Sequence, residues 1–393
     1  MGYVAVTGGA EAIEASIERL KYMRLRNGTT IGVDAVQAGM RALVDQVMSE
    51  SSLYDPAMAA LAIKQAEGSP EEAVFLMRAF RSTLPRSHYS LAIDPRNMRV
   101  ERRISASFKE IPGGQILGAS CDYTHRLIDS ELLDETNEEA ARWVGEYLAR
   151  DLGAEGFPLG AGSEEAGTDR PERPQAGAID YIRSLGLLKD RPIDDAEPQD
   201  VTKRAIEFPT SRSERLQILA RGQTGAVTAL GYAALRGYGA TLHPTVGELR
   251  VGLVAVYVPN PLASAGRPAD SGTAGECAAG AAEDSYYVGE IRMTAVETLV
   301  PVSVRRGIDR TDIEFEIGFG ASFGQNETKA IAMSLLDQCL ESGDKSSAVR
   351  DEEFVLLHVD SVEATGFISH LKLPHYVTFQ SKLDSVRKAR ARK

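Results

Sequence analysis

Cysteine is scarce in this chain, and its placing excludes two kinds of chemistry. Cys121, Cys277 and Cys339 are odd in number and far apart among 393 residues. Neither a disulfide framework nor a paired-cysteine metal site is written here, and the chain does not hold an iron–sulfur cluster by itself. No uninterrupted apolar run approaches the ~18 residues of a spanning helix. The opening MGYVAVTGGAEAIEA lacks a basic segment followed by an apolar one, so no signal peptide is expected. These absences predict a reduced, cytoplasmic protein with no membrane contact. Basic residues are outnumbered, 44 against 56 acids for a net charge of −12, which argues against a broad nucleic-acid footprint. There is no G-x-x-x-x-G-K-[ST] loop, no H-E-x-x-H, no G-x-S-x-G elbow and no internal repeat at a fixed period.

What is present is an ordinary globular composition, 43% hydrophobic and 25% charged, long enough for two or three units at about 150 residues each. Helical signals dominate residues 1–152. A strand-like YVAV leads through Gly8 and Gly9 into Ile13, Ile17 and Leu20 at helical spacing, and Val36, Met40, Leu43 and Val47 share one face. Asp55 and Pro56 open a helix. Ser69, Pro70 and Glu72 predict a capping box, and so do Thr136 and Glu139. Residues 153–177, rich in Gly, Pro and acids, read as a flexible insertion. Helical patterns resume over 178–245, at Ile179-Ile182-Leu185, SERLQILARG and TGAVTALGYAALRG, with Gly222 and Gly237 as stops. From 246 to 380 the texture turns to β. GELRVGLVAVYVP, YYVGEIRMTAVETLVP and DIEFEIGFG predict strands, the first two joined through a low-complexity insertion at 259–284. A helix then follows, with Asn326 as cap and Ile331, Leu335 and Cys339 in register. The expectation is an α+β fold: a mostly helical N-terminal half, then an antiparallel sheet with packed helices. Residues 381–393 form a basic tail; its KLDSVRKARARK holds six basic residues and one acid, suiting either a solubilising end or a contact for an acidic partner.

Four stretches can carry chemistry. The densest, ERRISASFKEIPGGQILGASCDYTHRLID, gathers Arg102, Arg103, Lys109, Gln115, Asp122, Tyr123, His125 and Arg126 around an Ile-Pro-Gly-Gly turn. Gly-Gly after Pro lets backbone N–H groups face one ligand, and arginines can clamp phosphate oxygens two at a time. A surface loop of locally paired arginines fits the same composition. A second basic set comprises Arg212, Arg215, Arg221, Arg236, His243 and Arg250, where a solvated helix face and a turn histidine are the plainer readings. GFGASFGQNETKA sets Gly318, Gly320 and Gly324 before a helix N-terminus, a possible phosphate seat or merely a chain turn. Lastly, His370 and His375 flank Pro374. On one helix, positions five apart point about 140° from each other, so a single helix cannot aim both at a metal. A helix ending near Leu373 lets the rings converge. Two imidazoles suit Zn2+ but need further ligands: His358, Asp360, Glu363, water, substrate or another chain. A hydrogen-bonded loop pair is the alternative.

Together, YVAVTGGAEAIEA, the Glu101–Asp129 block, SRSERLQILARG, LRGYG, HPTVGELRVG and DEEFVLLHVDSVEATGFISHLKLPHYVTFQ resemble the I-subunit family of the bacterial carbon–phosphorus lyase core complex (PhnI). The likeness runs from Tyr3 to about Gln380; the two insertions and the basic tail depart from it. It implies a role in phosphonate catabolism. With G, H and L partners, the family joins MgATP and an alkylphosphonate such as methylphosphonate into α-D-ribose 1-methylphosphonate 5-triphosphate, releasing adenine. Without partners it acts as a nucleosidase on ATP and GTP. A separate J subunit, a radical-SAM iron–sulfur protein, breaks the C–P bond, in keeping with the lack of a cysteine cluster here. The resemblance also implies Zn2+ at His370 and His375, completed at the interface with the J subunit, and a two-fold hetero-oligomer.

Displacement at the ribose anomeric carbon passes through an oxocarbenium-like state. The enzyme must therefore anchor a triphosphate, stabilise the departing purine and place the phosphonate oxygen. Arg102, Arg103, Lys109, Gln115, Tyr123 and Arg126 are the substrate-binding candidates; Asp122 and His125 are those for proton transfer or ribose contact. Three classes compete: a transferase subunit, a free-standing purine-nucleotide nucleosidase, and a non-catalytic scaffold.

Overall fold

The computed structural model describes residues 9–149, 176–189, 196–238, 243–260, 285–305, 311–342, 346–373 and 375–392. The YVAV stretch, Gly8, Pro374 and most of both insertions lie outside them. In chain order come helices α1 (Gly9–Leu25), α2 (Val33–Gly39), α3 (Arg41–Ser51), α4 (Pro56–Gln65) and α5 (Pro70–Thr83), then strand β1 (Arg99–Ile104). Helices α6 (Asn137–Ala149), α7 (Ala178–Ser184), α8 (Arg212–Arg221) and α9 (Thr224–Ala233) follow. Strands β2 (Thr245–Pro259), β3 (Ser285–Arg305) and β4 (Thr311–Phe323) precede α10 (Glu327–Glu341), α11 (Glu352–His358), α12 (Ser361–Ser369) and α13 (Tyr376–Ala391). The fold is α+β. No helix among the described residues is long and apolar enough to cross a membrane.

Local chemistry explains most helix starts. The Asp55 carboxylate accepts from Met58 N at 2.9 Å with Pro56 as the first helical residue. Thr136 and Glu139 form the full reciprocal box at the head of α6. Ser69 caps α5 by accepting from Glu72 N at 3.4 Å, but the return bond of a capping box is replaced: Ser69 N donates to the Ala66 carbonyl. The run from Val36 to Val47, expected as one face, breaks at Met40 (φ −112°, ψ 40°) into α2 and α3. Helix α1 forms as predicted, yet none of its residues is buried and Ile13, Ile17 and Leu20 stay exposed.

Two compact units divide the chain. The first takes the described residues within Met1–Pro85, Asp200–Val227 and Glu352–Lys393. Its core is aliphatic, with Val47, Met48, Ala59, Ile63, Val74, Met77 and Leu219 buried. The buried Glu50 accepts from Thr224 N and Oγ1, both at 2.8 Å, holding the start of α9 to the end of α3.

The second unit, within Arg86–Gln199 and Thr228–Asp351, is built on an antiparallel sheet of order β1-β2-β3-β4. One strand, β1, comes from the region expected to be mostly helical, at the start of the polar stretch for which no strand is predicted. Strand side chains alternate between faces. Leu249, Val251 and Val296 face Ala330 of α10, while Leu299 and Phe315 pack with Ile179 and Ile182 of α7. The sheet is therefore covered on both sides. Helix α10 is buried from Lys329 to Leu340 except at Ile331, rather than along one stripe.

Candidate functional site

Neighbouring arginines on β1 go to opposite faces of the sheet, and each finds a different counter-charge. Arg102 is almost fully buried. Its Nε lies 3.0 Å from Glu327 at the head of α10, one Nη donates to Asp122 Oδ2 at 2.8 Å and the other to the Leu117 carbonyl. The Tyr123 ring lies 5.6 Å from the same guanidinium. Arg126, in the uncommon left-handed conformation (φ 51°), reaches the other Asp122 oxygen at 3.1 Å. Burial alone lowers the Arg102 pKa, but Tyr123 and Glu327 more than offset it, so the net direction is upward. Asp122, Tyr123 and Arg126 thus converge on one side of Arg102, at an exposed rim.

Arg103 has the opposite character. It is fully buried, its Nε 2.5 Å from Glu248, with its remaining nitrogens donating to the Pro112 and Ala176 carbonyls. Glu248 is shared: Arg250 Nε donates to the same oxygen at 2.6 Å, and Ala178 N to the other at 2.7 Å. Burial pushes the Glu248 carboxyl up, but the bonds from Arg250 and Arg103 prevail and hold it below the usual glutamate value. Glu297, paired with Glu248 across the strands, goes the other way, raised by burial and by repulsion from Glu248.

The rest of the predicted set is less convergent. Gln115 braces its own loop, donating to the Phe108 and Lys109 carbonyls and accepting from Ser105 N. The glycines of the turn, Gly113 (φ 81°) and Gly114 (φ 76°), take the left-handed region that favours glycine. Gly114 N is spent on the Ile111 carbonyl at 2.9 Å rather than aimed at a ligand. Lys109 and His125 are exposed. Asn326 precedes α10 but its side chain does not cap; it donates to the Phe323 carbonyl at 2.6 Å. Gly318 and Gly320 serve packing, since a Cβ on either would fall 2.0 Å from a carbonyl of α10. Of the two readings of this stretch, these contacts favour glycines that serve the chain and its packing rather than a phosphate seat. His243 is a turn histidine, its Nδ1 3.1 Å from the Pro244 carbonyl.

In the first unit, α12 ends at Ser369, a short 3-10 turn carries His370, and α13 begins after His375. The two rings come together, centroids 5.5 Å apart. His370 Nδ1 faces the Phe367 carbonyl and His375 Nδ1 the Leu373 carbonyl. A carbonyl only accepts, so Nδ1 carries the proton in each ring, and Nε2 is the nitrogen left over for a metal. The donor set fits half a zinc site. Of the completing ligands suggested within the chain, Asp360 is engaged, binding Arg78 and capping α12; His358 has its Nδ1 2.6 Å from the Phe354 carbonyl. No group of three or more metal-binding side chains occurs among the described residues.

Pattern reading missed Glu327 and Glu248, the counter-charges of β1. In GELRVGLV, Glu248 and Arg250 alternate with apolar residues and so read as a solvent face. The missing signal was a second covering layer, α7, which turns an apparent outer face inward.

A family model described as bacterial phosphonate metabolism protein (PhnI) matches residues 2–393. The chain is 41% identical over 400 residues to the alpha-D-ribose 1-methylphosphonate 5-triphosphate synthase subunit PhnI of Rhizobium meliloti (strain 1021), covering 99% of this chain and 95% of the relative. It is 38% identical over 395 residues to the subunit of the same name from Escherichia coli (strain K12), covering 98% of each.

Proposed function

The chain belongs to the PhnI family of bacterial phosphonate metabolism proteins, and from that premise we propose that it works as a subunit of a carbon–phosphorus lyase complex. With its partners, the G, H, J and L subunits in a two-fold assembly, it displaces adenine from MgATP by an alkylphosphonate such as methylphosphonate. The product is α-D-ribose 1-methylphosphonate 5-triphosphate. The observation that carries this reading is the near-complete alignment with two synthase subunits named for that product.

The geometry supports a division of labour within the candidate set. Arg102 and Arg126 share Asp122 at an exposed rim, so a phosphate or phosphonate oxyanion can take the place of that carboxylate between two guanidinium groups. Freed, Asp122 is placed to contact the ribose as charge develops at its anomeric carbon. Tyr123 holds the Arg102 plane, and the exposed His125 is the second candidate for proton transfer or ribose contact. Arg103 is a positioning residue. Zn2+ would be held by Nε2 of His370 and His375 together with ligands from a partner subunit. When bound, it supplies a Lewis-acidic charge at that surface.

The test is to purify the chain with and without its partners and to follow adenine release from MgATP and methylphosphonate by mass spectrometry. The expected product with partners is the ribose methylphosphonate triphosphate. Ribose triphosphate alone, with every partner present, would replace this reading by a nucleosidase. Metal content of the same complex should fall in His370→Ala and in His375→Ala; unchanged zinc would sink the metal assignment.

A further inference from the structure

Arg102 is answered by two acids of unequal freedom, and the difference lies in what holds each of them. Asp122 sits on a single 3-10 turn of an exposed loop, and its side chain is 47% exposed. Glu327 stands on the first turn of α10, and its side chain is 16% exposed. Both Glu327 oxygens lie within reach of Arg102 Nε, at 3.0 and 3.1 Å. Gln325 braces this contact: its Nε2 donates to Glu327 Oε1 at 2.9 Å and to the Ala119 carbonyl at 3.0 Å.

The turn that carries Gln325 and Glu327 is itself fixed to the sheet. Thr294 of β3 is fully buried; its hydroxyl donates to the Gly324 carbonyl at 2.7 Å and accepts from Asn326 N at 3.0 Å. Gly324 N donates to the Arg292 carbonyl of the same strand at 2.8 Å. The loop leading to Asp122 is pinned as well, up to a point. Gly118 (φ 62°) lets its backbone lie against β1, where a Cβ would fall 2.7 Å from Arg102 Cβ. The neighbouring Leu117 carbonyl accepts from one Arg102 Nη. Nε and that Nη are therefore committed to anchored groups, and the Nη that meets Asp122 is the one at the exposed rim.

We propose that Glu327, braced by Gln325, is a positioning residue that keeps Arg102 aimed at the rim while Asp122 gives up its place to the substrate oxyanion. The inference rests on the reading of Arg102 and Arg126 as the phosphate or phosphonate grip. A guanidinium is planar and rigid, so fixing Nε and one Nη fixes the direction of the other. A donor held in one place loses nothing to reorganisation as charge develops, whereas one free to follow Asp122 or the arriving anion does. Glu327 also stays when Asp122 leaves, so the buried Arg102 is never without a counter-charge.

The test measures kcat and KM for adenine release from MgATP and methylphosphonate in the complete complex, beside the Tm of each variant chain. Glu327→Asp keeps the charge but draws the carboxylate back by a methylene. Glu327→Gln keeps the reach and an acceptor but loses the charge. Positioning predicts that reach governs turnover: kcat falls about tenfold or more in Glu327→Asp and by less in Glu327→Gln, with KM for MgATP little changed in either. Stability should rank the other way, Glu327→Asp above Glu327→Gln, because the buried guanidinium keeps its charged partner. Unchanged kcat in Glu327→Asp overturns the proposal. So does a fall in Glu327→Gln as large as that in Glu327→Asp, which follows charge instead of reach and marks a structural counter-charge. Arg102→Lys separates this inference from the reading beneath it. If Arg102→Lys leaves kcat unchanged, the grip itself fails and the proposal with it; if Arg102→Lys lowers kcat and Glu327→Asp does not, the proposal alone fails.

Discussion

Glu248 joins two buried arginines to the backbone of α7, and its loss would leave both cations in the interior without their shared acid. The expected cost of Glu248→Gln is about 3 kcal/mol or more in urea unfolding near neutral pH. The sign of the pH dependence follows from the depressed carboxyl. A folded pKa below the unfolded value adds stability that is present above the unfolded value of 4.5. That contribution is lost as pH falls through the lower folded value. The gap between native chain and variant should therefore be full at pH 7 and narrow below about pH 4; a gap that stays constant across that window would mean that Glu248 acts through packing alone. Arg102 and Arg103 carry a lesson about reading residues. Both were legible as a basic pair worth attention, but their assignment to opposite faces, one toward a rim and one into a sealed network, depends on a strand register that composition does not encode.

At the scale of elements, signals confined to one turn of chain were the readable ones. Asp55-Pro56 and Thr136-x-x-Glu139 did what their side chains dictate, because donor and acceptor lie within four residues of each other. Glu72 and Asn326 had the right identities, yet the backbone and a neighbouring carbonyl took the bonds. The glycines of β4 show why longer-range features stayed hidden. Gly-x-Gly before a helix has the look of a ligand loop, but Gly320 is where β4 and α10 come closest, and a Cβ there would meet the Ala330 carbonyl at 2.0 Å. Gly320→Ala must move a helix that is buried almost throughout, costing about 1–3 kcal/mol. Chemical denaturation should show a lower midpoint; an unchanged midpoint would mean that α10 shifts freely and that the sheet–helix contact is loose.

The described residues leave much apolar surface uncovered, and one long stretch has no buried residue at all. From Pro112 to Ala149 no residue is buried; Ile128 is 98% exposed, Leu133 85% and Trp143 56%, with Trp143 stacked on Tyr147 at 5.2 Å. A 13-residue helix such as α6 is marginal on propensity and caps alone, and large apolar side chains left in water in number mark an interaction surface. A subunit of a larger complex resolves the contradiction, because another chain then supplies the missing layer. Tryptophan in such a patch is a natural anchor. Trp143→Glu should weaken co-purification of the partner subunits about tenfold or more while leaving thermal unfolding of the lone chain unchanged. The reverse pattern, a destabilised chain that still assembles, would place the cover within this polypeptide. The net charge of −12 works in the same direction. It keeps a chain with so much exposed apolar surface from associating with its own copies before its partners arrive, so raising the ionic strength on the isolated chain should promote self-association before it affects the fold.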